Sequence, residues 1–271
     1  MAIWNKSDVK PIWKYLVWTF AIAWTCEIML VLGERLGIVT GTLGTAIYFI
    51  IVGIGSGFAP AYAIAILLKK HDRIRGFKDL CARISKTENI LKTFIITAIF
   101  FCSQLIPNLL FNNYLGQPWY FFIILMPMMI VGGVIEEIGW RGFLQPALEE
   151  KLPFVPAALL VGLVWAVWHF PLWFVQNAGQ SAMNFFSFSI HCIVLAFVLA
   201  ALYKLTKCVF ACILLHAWCN VLGGGVFSFD ILINVPSVKL LAIYVMEIIA
   251  AIVVWYIADK QSKSASCKEV S

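Results

Sequence analysis

Charged side chains are scarce in this sequence: 13% of the residues are Asp, Glu, Lys or Arg, whereas 62% are hydrophobic. A soluble domain has roughly 25% charged and 45–50% apolar residues. The mean hydropathy of +0.91 therefore favours the lipid bilayer over water as the main surroundings of the chain. The formal net charge of +6 is small, so we expect no nucleic-acid partner.

The sequence lacks several motifs that would indicate other kinds of functional site. No cysteine pair has zinc-finger spacing with histidines, and most of the cysteines fall inside apolar runs, where they act as small apolar fillers. The glycines at 53, 55 and 57 have no Lys-Ser/Thr after them, so close helix packing through Gly53-x-x-x-Gly57 is favoured over a phosphate loop. No Ser–His–Asp or Cys–His arrangement suggests itself.

Long apolar runs recur along the whole chain. A spanning helix needs about 20 apolar residues. Runs of this kind occupy roughly 12–33, 43–68, 89–111, 119–141, 155–175, 187–206, 208–222 and 237–258. The sequence thus predicts an all-α polytopic membrane protein of about eight transmembrane helices, with 1–271 forming a single integral membrane domain.

The distribution of positive charge predicts the orientation. With the N-terminus in the cytoplasm, every Lys and Arg except Arg35 and Lys239 lies on or toward the cytoplasmic side. Segment 69–88 is especially basic: it contains Lys69, Lys70, Arg73, Arg75, Lys78, Arg83 and Lys86. The predicted outer loops 112–118 and 176–186 carry no charge. We therefore expect a multi-pass protein of the cell membrane, a bacterial plasma membrane, with both termini in the cytoplasm.

Ionisable residues inside these runs are the candidates for function. A charge at the bilayer centre costs roughly 2.5–3.5 kcal/mol on insertion scales, so such residues persist mostly for function. Glu137 and Arg141 stand at i and i+4 and can pair on one helix face. Glu136 lies about 100° further round and has no local partner, which leaves it free for chemistry. A helix-packing ion cluster is the alternative for this group.

Two further motifs follow on later helices. Trp165 stands four residues before His169, and His216 stands four residues before Asn220, so each pair shares a helix face. If the fourth run is broken near Pro127 or Gly132-Gly133, helix rise places Glu136, His169 and His216 roughly 20, 21 and 14 Å from the inner surface. All three motifs could then share one cavity, although each polar residue alone could simply bridge helices.

Two histidines, a free carboxylate and an amide in a semi-dry cavity favour hydrolysis. The carboxylate and one histidine can activate water, while the amide and the other histidine can stabilise an oxyanion. The same Glu136, His169 and His216 could instead bind zinc. No cofactor is favoured, and zinc is kept as an alternative. We expect Glu27 and Glu247 to serve packing or the lipid interface, and His191 to lie near the outer surface.

In their order on successive helices, these motifs resemble the CPBP family, also called Abi: CAAX proteases and bacteriocin-processing enzymes. That family shows Glu-Glu-x-x-x-Arg, then aromatic-x-x-x-His, then His-x-x-x-Asn or Asp, and here the motifs lie within 135–220. The one departure is Trp165, where Phe is commoner, but the residue is still aromatic.

The resemblance implies eight helices around a site that opens to the cytosol and the bilayer. It implies that Glu136 and His169 activate water and that His216 and Asn220 hold the oxyanion. Glu137 and Arg141, with Trp165, are the implied supporting residues. A metal-free glutamate mechanism suits these residues better than the metalloprotease label often given to family members.

The resulting hypothesis is an intramembrane endopeptidase that acts on a membrane-associated peptide or protein substrate. A non-catalytic membrane scaffold or bacteriocin self-immunity protein is the rival, and a proton-coupled transporter comes third. Against the transporter, no inverted repeat is visible. Against the scaffold, all the catalytic residue types are present.

Overall fold

The chain folds as an assembly of helices. The computed structural model describes residues 9–70, 77–87, 89–118, 120–176 and 178–268. The α-helices in these ranges are α1 Lys10–Arg35, α2 Gly41–Ile50, α3 Ala59–Lys70, α4 Phe77–Ile84, α5 Ile90–Phe111, α6 Phe121–Gly132, α7 Glu137–Gly139, α8 Gln145–Glu149, α9 Phe154–Trp168, α10 Phe185–Thr206, α11 Val209–Val221, α12 Asp230–Ile233 and α13 Val238–Lys268. The only β-type pairing among the described residues is an isolated bridge between Tyr114 and Phe227. The predicted all-α class is confirmed.

The membrane-spanning helices follow the predicted apolar runs. Six described segments are long and apolar enough to cross a membrane, and a bent pair, Phe121–Gly132 with Val134–Glu149, raises the number to seven. Helix α11 is apolar but has only 13 residues, and it corresponds to the remaining run. The result agrees with the prediction of about eight helices.

The fourth span is broken at its glycine pair, one of the two places considered from the sequence, and helix α6 continues through the other, Pro127. Its two halves meet at an angle of 55° around Gly133. The break packs against the second span, where a π-helical turn separates α2 from α3. A Cβ atom on Gly57 would lie 3.2 Å from Cα of Gly133, and one on Gly53 would lie 3.8 Å from Cα of Gly132. The close approach expected through these glycines is therefore confirmed. It brings the π-helical turn of the second span against the break in the fourth span.

Helix α10 forms the centre of the molecule and packs against α9 and α13. Most of its side chains are buried, and it is apolar on every face, as expected for a helix surrounded by others. At Gly162 of α9 a Cβ atom would lie 2.6 Å from Cα of Ile193, so the two helix backbones are in direct contact. This contact fixes the position of the motif at the end of α9.

Large apolar side chains cover the outer surface of the peripheral helices. In α13, for example, only 17% of the most apolar window is buried inside the protein. Val245, Ile249 and Val253 on that helix are about half exposed. In water such a surface would be an aggregation liability, whereas in a bilayer these side chains face lipid tails.

The cytoplasmic location of the termini stays a prediction. Some of the charges behind it, Lys6, Arg73 and Arg75, lie outside the described residues. Lys78 and Lys86 of the same basic segment are described and exposed. Both are thus available to solvent or to lipid head groups.

Candidate active site

Glu136 lies immediately after the break in the fourth span, in a 3-10 turn, Val134–Glu136. Its side chain is buried, with 3% of the residue surface exposed. Oε2 accepts hydrogen bonds from two indole N–H groups, those of Trp140 at 2.9 Å and Trp165 at 2.8 Å. These two donors fix the orientation of the carboxylate and leave Oε1 as the oxygen available for other contacts.

Glu137 and Arg141 form the predicted pair. Nη1 of Arg141 lies 3.0 Å from Oε1 and 2.9 Å from Oε2 of Glu137, and both side chains are fully buried. The guanidinium also lies over the ring of Trp165, 5.1 Å from its centroid. Arg141 therefore neutralises Glu137 and packs against the residue that holds Glu136.

His216 connects the two carboxylates. Its Nδ1 lies 2.9 Å from Oε1 of Glu137, and its Nε2 lies 3.9 Å from Oε1 of Glu136. Because Oε1 of Glu137 also accepts from Arg141, it acts as an acceptor, and Nδ1 of His216 must carry the hydrogen. Nε2 is thus directed toward Glu136. An edge-to-face contact with Trp165, at 5.0 Å between ring centroids, fixes the plane of the imidazole.

His169 lies at the C-terminal end of α9, where the helix ends at Trp168. Its Nδ1 lies 2.9 Å from the carbonyl oxygen of Trp165. A carbonyl oxygen only accepts hydrogen bonds, so Nδ1 must be the donor, which leaves Nε2 without a hydrogen in the neutral ring. The rings of Trp168 and Phe188 make edge-to-face contacts with the imidazole. This tautomer suits an acceptor of a proton from water.

A cavity of about 360 Å³ joins these residues. Its walls include Glu136, Trp165, His169, His216 and Asn220, which come from three separate stretches of the chain. Asn220 is exposed on α11, one turn after His216, and lines the cavity on the same helix face. The structure thus brings together all four predicted catalytic residues. The predicted supporting residues Glu137 and Arg141 lie behind the cavity wall.

One residue of this site was missed by the sequence analysis. Trp140 supplies one of the two hydrogen bonds to Glu136, yet it was assigned no role. Its position four residues after Glu136 was the available signal, because an i, i+4 indole can reach the carboxylate on the same helix face. The neighbouring pair Glu137–Arg141, which obeys the same spacing, was recognised because its charges are opposite.

The cavity also reaches two polar residues outside the three motifs. Glu247, expected in a packing or lipid-interface role, and His191, expected near the outer surface, both line it. His191 is half-buried, with Nδ1 3.3 Å from the hydroxyl of Tyr244. Glu27 differs from them: it is fully buried, accepts a short hydrogen bond from Ser56 and does not line the cavity.

The donor groups do not fit a zinc site of three side chains. Among the described residues, no group of three or more His, Cys, Asp or Glu side chains is arranged to hold a metal ion. In addition, Oε2 of Glu136 is already occupied by two indole donors. Metal dependence stays a prediction to be tested, and the chemistry below is derived from the side chains alone.

Comparison with known proteins agrees with the motifs. Residues 117–222 match the family model described as Type II CAAX prenyl endopeptidase Rce1-like. A stretch of 59 residues is 36% identical to CAAX prenyl protease 2 of Methanococcus maripaludis. That alignment covers 22% of this chain and 22% of the relative. The family match includes the motifs at 136–141, 165–169 and 216–220. Both comparisons therefore agree with the resemblance of this part of the chain to the CPBP, or CAAX protease, family.

Proposed function

We propose that this protein is an intramembrane endopeptidase of the CAAX protease type, which hydrolyses a peptide bond of a membrane-associated substrate. The proposal depends on one observation: the same cavity is lined by Glu136, His169, His216 and Asn220. The names of the matching family and of the archaeal relative suggest a prenylated substrate ending in a CAAX sequence. The following paragraphs give the contacts that support a role for each residue.

Glu136 is the proposed general base. Two indole N–H groups hold Oε2, so the carboxylate is preoriented with Oε1 toward the cavity. Nε2 of His169 accepts hydrogen bonds, since its Nδ1 hydrogen is committed to the carbonyl of Trp165. A water molecule between these two acceptors can donate a hydrogen bond to each, which raises its nucleophilicity and directs its lone pair at the substrate.

His216 and Asn220 are the proposed oxyanion donors. Asn220 offers an amide N–H2 to the cavity. His216 can donate through Nε2 when both of its nitrogens carry hydrogen, and the carboxylate of Glu137 at Nδ1 orients the ring for this role, as the carboxylate does in a Ser-His-Asp triad. Both donors lie in a water-poor cavity, where their effect on developing negative charge is largest.

The reaction then follows ordinary acyl chemistry. The water oxygen bonds to the carbonyl carbon, while its proton passes to Oε1 of Glu136. The carbonyl oxygen becomes negative and accepts hydrogen bonds from His216 and Asn220. The C–N bond breaks as the proton held by Glu136, with His169 beside it, passes to the departing nitrogen. The products are a new carboxylate and a free amine.

A cleavage assay tests the proposal directly. The purified full-length protein in proteoliposomes is mixed with a prenylated peptide ending in a CAAX sequence, or with its unprenylated twin, and products are identified by mass spectrometry. We expect a single cut in the prenylated peptide, and loss of that product in the Glu136→Gln variant. The Glu27→Gln variant is the matched control, because Glu27 is a buried membrane carboxylate outside the cavity lining.

The rival functions give different results in the same preparation. A non-catalytic scaffold would bind the peptide without forming product, in both the native protein and the Glu136→Gln variant. A proton-coupled transporter would acidify or alkalinise the vesicle interior on peptide addition. Either of these outcomes, with no cleavage by the native protein, would overturn the peptidase proposal.

A further inference from the structure

The wall of the cavity formed by α5, α10 and α13 carries its own polar groups. Glu247 of α13 accepts a hydrogen bond at Oε1 from Nε2 of Gln104 on α5, at 3.1 Å. His191 of α10 also lines the cavity, with its ring bonded to the hydroxyl of Tyr244 of α13. None of these residues belongs to the three motifs, so the chemistry proposed above leaves them without a role.

Gln104 links this wall to helix α11, which carries His216 and Asn220. Sγ of Cys219 donates to Oε1 of Gln104 at 3.8 Å, and Cys219 immediately precedes Asn220. The side-chain amide of Gln104 is therefore oriented by Cys219, with its N–H2 end toward Glu247. This amide gives the carboxylate of Glu247 a partner within the protein.

Glu247 has acceptor capacity left for an occupant of the cavity. A carboxylate can accept about four hydrogen bonds, and Gln104 fills one of these. Glu247 is half-buried and borders the cavity, whereas the other membrane carboxylate, Glu27, is sealed inside the protein against Ser56. An ionisable group kept in an apolar span is costly, and Glu247 is placed where a ligand rather than another helix can compensate its charge.

The charges of the lining point to one kind of occupant. The cavity is bordered by two carboxylates, Glu136 and Glu247, and none of the described residues that line it is a lysine or an arginine. The nearby Arg141 is fully buried behind the wall and is neutralised by Glu137. A positively charged group that enters the cavity is therefore attracted by these carboxylates, whereas a carboxylate meets no lysine or arginine there.

We propose that Glu247, held by Gln104, is a specificity-determining residue that binds a positively charged side chain of the substrate close to the cleaved bond. The inference rests on the proposed peptidase function. It assigns Glu247 to substrate binding and not to the bond-breaking steps. A lysine or arginine side chain in this position would form a charge-assisted hydrogen bond in a water-poor environment, which is stronger than the same contact in water.

A matched set of peptides tests this assignment. The prenylated CAAX peptide described above is made with Lys, norleucine or Glu at each of the three positions on either side of the cleaved bond, except at the prenylated cysteine. We expect at least one position where the Lys peptide has a kcat/KM about tenfold higher than the norleucine peptide, which corresponds to about 1.4 kcal/mol. The Glu peptide should be the poorest of the three. The Glu247→Gln variant should remove this preference, and the Glu27→Gln control should retain it.

The result separates this inference from the proposed function. If the native protein cleaves the Lys and norleucine peptides equally well at every position, or if Glu247→Gln keeps the preference, the assignment of Glu247 is wrong and the peptidase proposal stands. If no peptide is cleaved, binding tests the assignment of Glu247 instead. The same peptides then carry a fluorescent label, and their affinity is measured for the native protein and for Glu247→Gln in nanodiscs. Tighter binding of the Lys peptide by the native protein alone would support Glu247 as the binding residue although the peptidase proposal had failed, and equal binding would overturn it.

Discussion

Glu137 and His216 are joined by a hydrogen bond of 2.9 Å between Oε1 and Nδ1, although 79 residues separate them in the sequence. The same oxygen accepts a hydrogen bond from Arg141. A buried chain thus runs from arginine through carboxylate to imidazole, with Nε2 of His216 at its end facing the cavity. In this arrangement the ion pair has two functions: it places two buried charges of opposite sign together, and it orients a histidine of the candidate site.

Breaking the Glu137–Arg141 pair should destabilise the protein. We expect Arg141→Ala to lower the folded yield as well as the activity, because it leaves a buried carboxylate without its cation, a loss that costs about 3–5 kcal/mol. The measurement is thermal unfolding in detergent together with the yield of monodisperse protein. Full stability with loss of activity alone would instead argue that Arg141 acts directly in catalysis.

Removing both charges should separate folding from activity. The double variant Glu137→Gln with Arg141→Met has no unpaired charge, so we expect it to be more stable than either single variant. We expect it to remain inactive, because His216 no longer has a carboxylate at Nδ1. A double variant that is both stable and fully active would show that the bond from His216 to Glu137 is dispensable.

The part of the site that could be predicted from the sequence is the part set by local spacing. Glu137 and Arg141 pair because residues four apart share a helix face, and the break at Gly133 follows from the glycine pair inside an apolar run. Contacts between helices have no such signal. The bond from Glu137 to His216 and the indole donation from Trp165 to Glu136 depend on how α7, α9 and α11 are rotated against one another.

The position of Glu247 could not be predicted from the sequence for the same reason. Helix α13 is apolar along most of its length, so the sequence indicates the span but not which face meets the cavity. Its rotation is set by packing against α10 and α5, and that packing turns Glu247 toward Gln104. A carboxylate expected at the lipid interface therefore borders the site.

The two indole donors to Glu136 should be partly redundant. Trp165→Phe removes one N–H but keeps an aromatic ring beside His216 and Arg141, so we expect a loss of at most about tenfold in kcat/KM. Trp140→Phe should behave similarly. The double variant should lose more than the product of the two single effects, because no donor then fixes the carboxylate. Steady-state kinetics of the four proteins on one peptide measures this, and simple multiplicative losses would contradict it.

The predicted orientation can be tested with single cysteines in a background without native cysteines. Lys78→Cys lies in α4 of the basic segment, and Ser181→Cys lies in the predicted outer loop 176–186. Both residues are exposed, so a membrane-impermeant thiol reagent can reach either one from its own side. On intact cells we expect labelling at 181 and none at 78. Labelling at 78 on sealed, intact cells would reverse the orientation.

The amide of Asn220 distinguishes the two possible chemistries. It borders the cavity one turn after His216, where an N–H donor can reach a developing oxyanion. Loss of one such donor usually lowers turnover by about 100- to 1000-fold. We therefore expect Asn220→Ala to bind substrate nearly as well as the native protein, so that kcat falls while KM changes little. Asn220→Asp should fail as well unless the new acid is protonated, because an ionised carboxylate offers no donor.

A zinc-dependent enzyme would behave differently in the same experiments. With His169 and His216 as ligands, replacing either would release the metal, chelation would abolish activity, and added zinc would restore it. The contacts favour the metal-free route, because Oε2 of Glu136 is held by two indoles and an amide such as that of Asn220 is a poor zinc ligand but a good hydrogen-bond donor. We expect chelators to leave the turnover of purified protein unchanged. Stoichiometric zinc in active protein, lost together with activity in His216→Ala, would overturn this expectation and make His216 a ligand instead of an oxyanion donor.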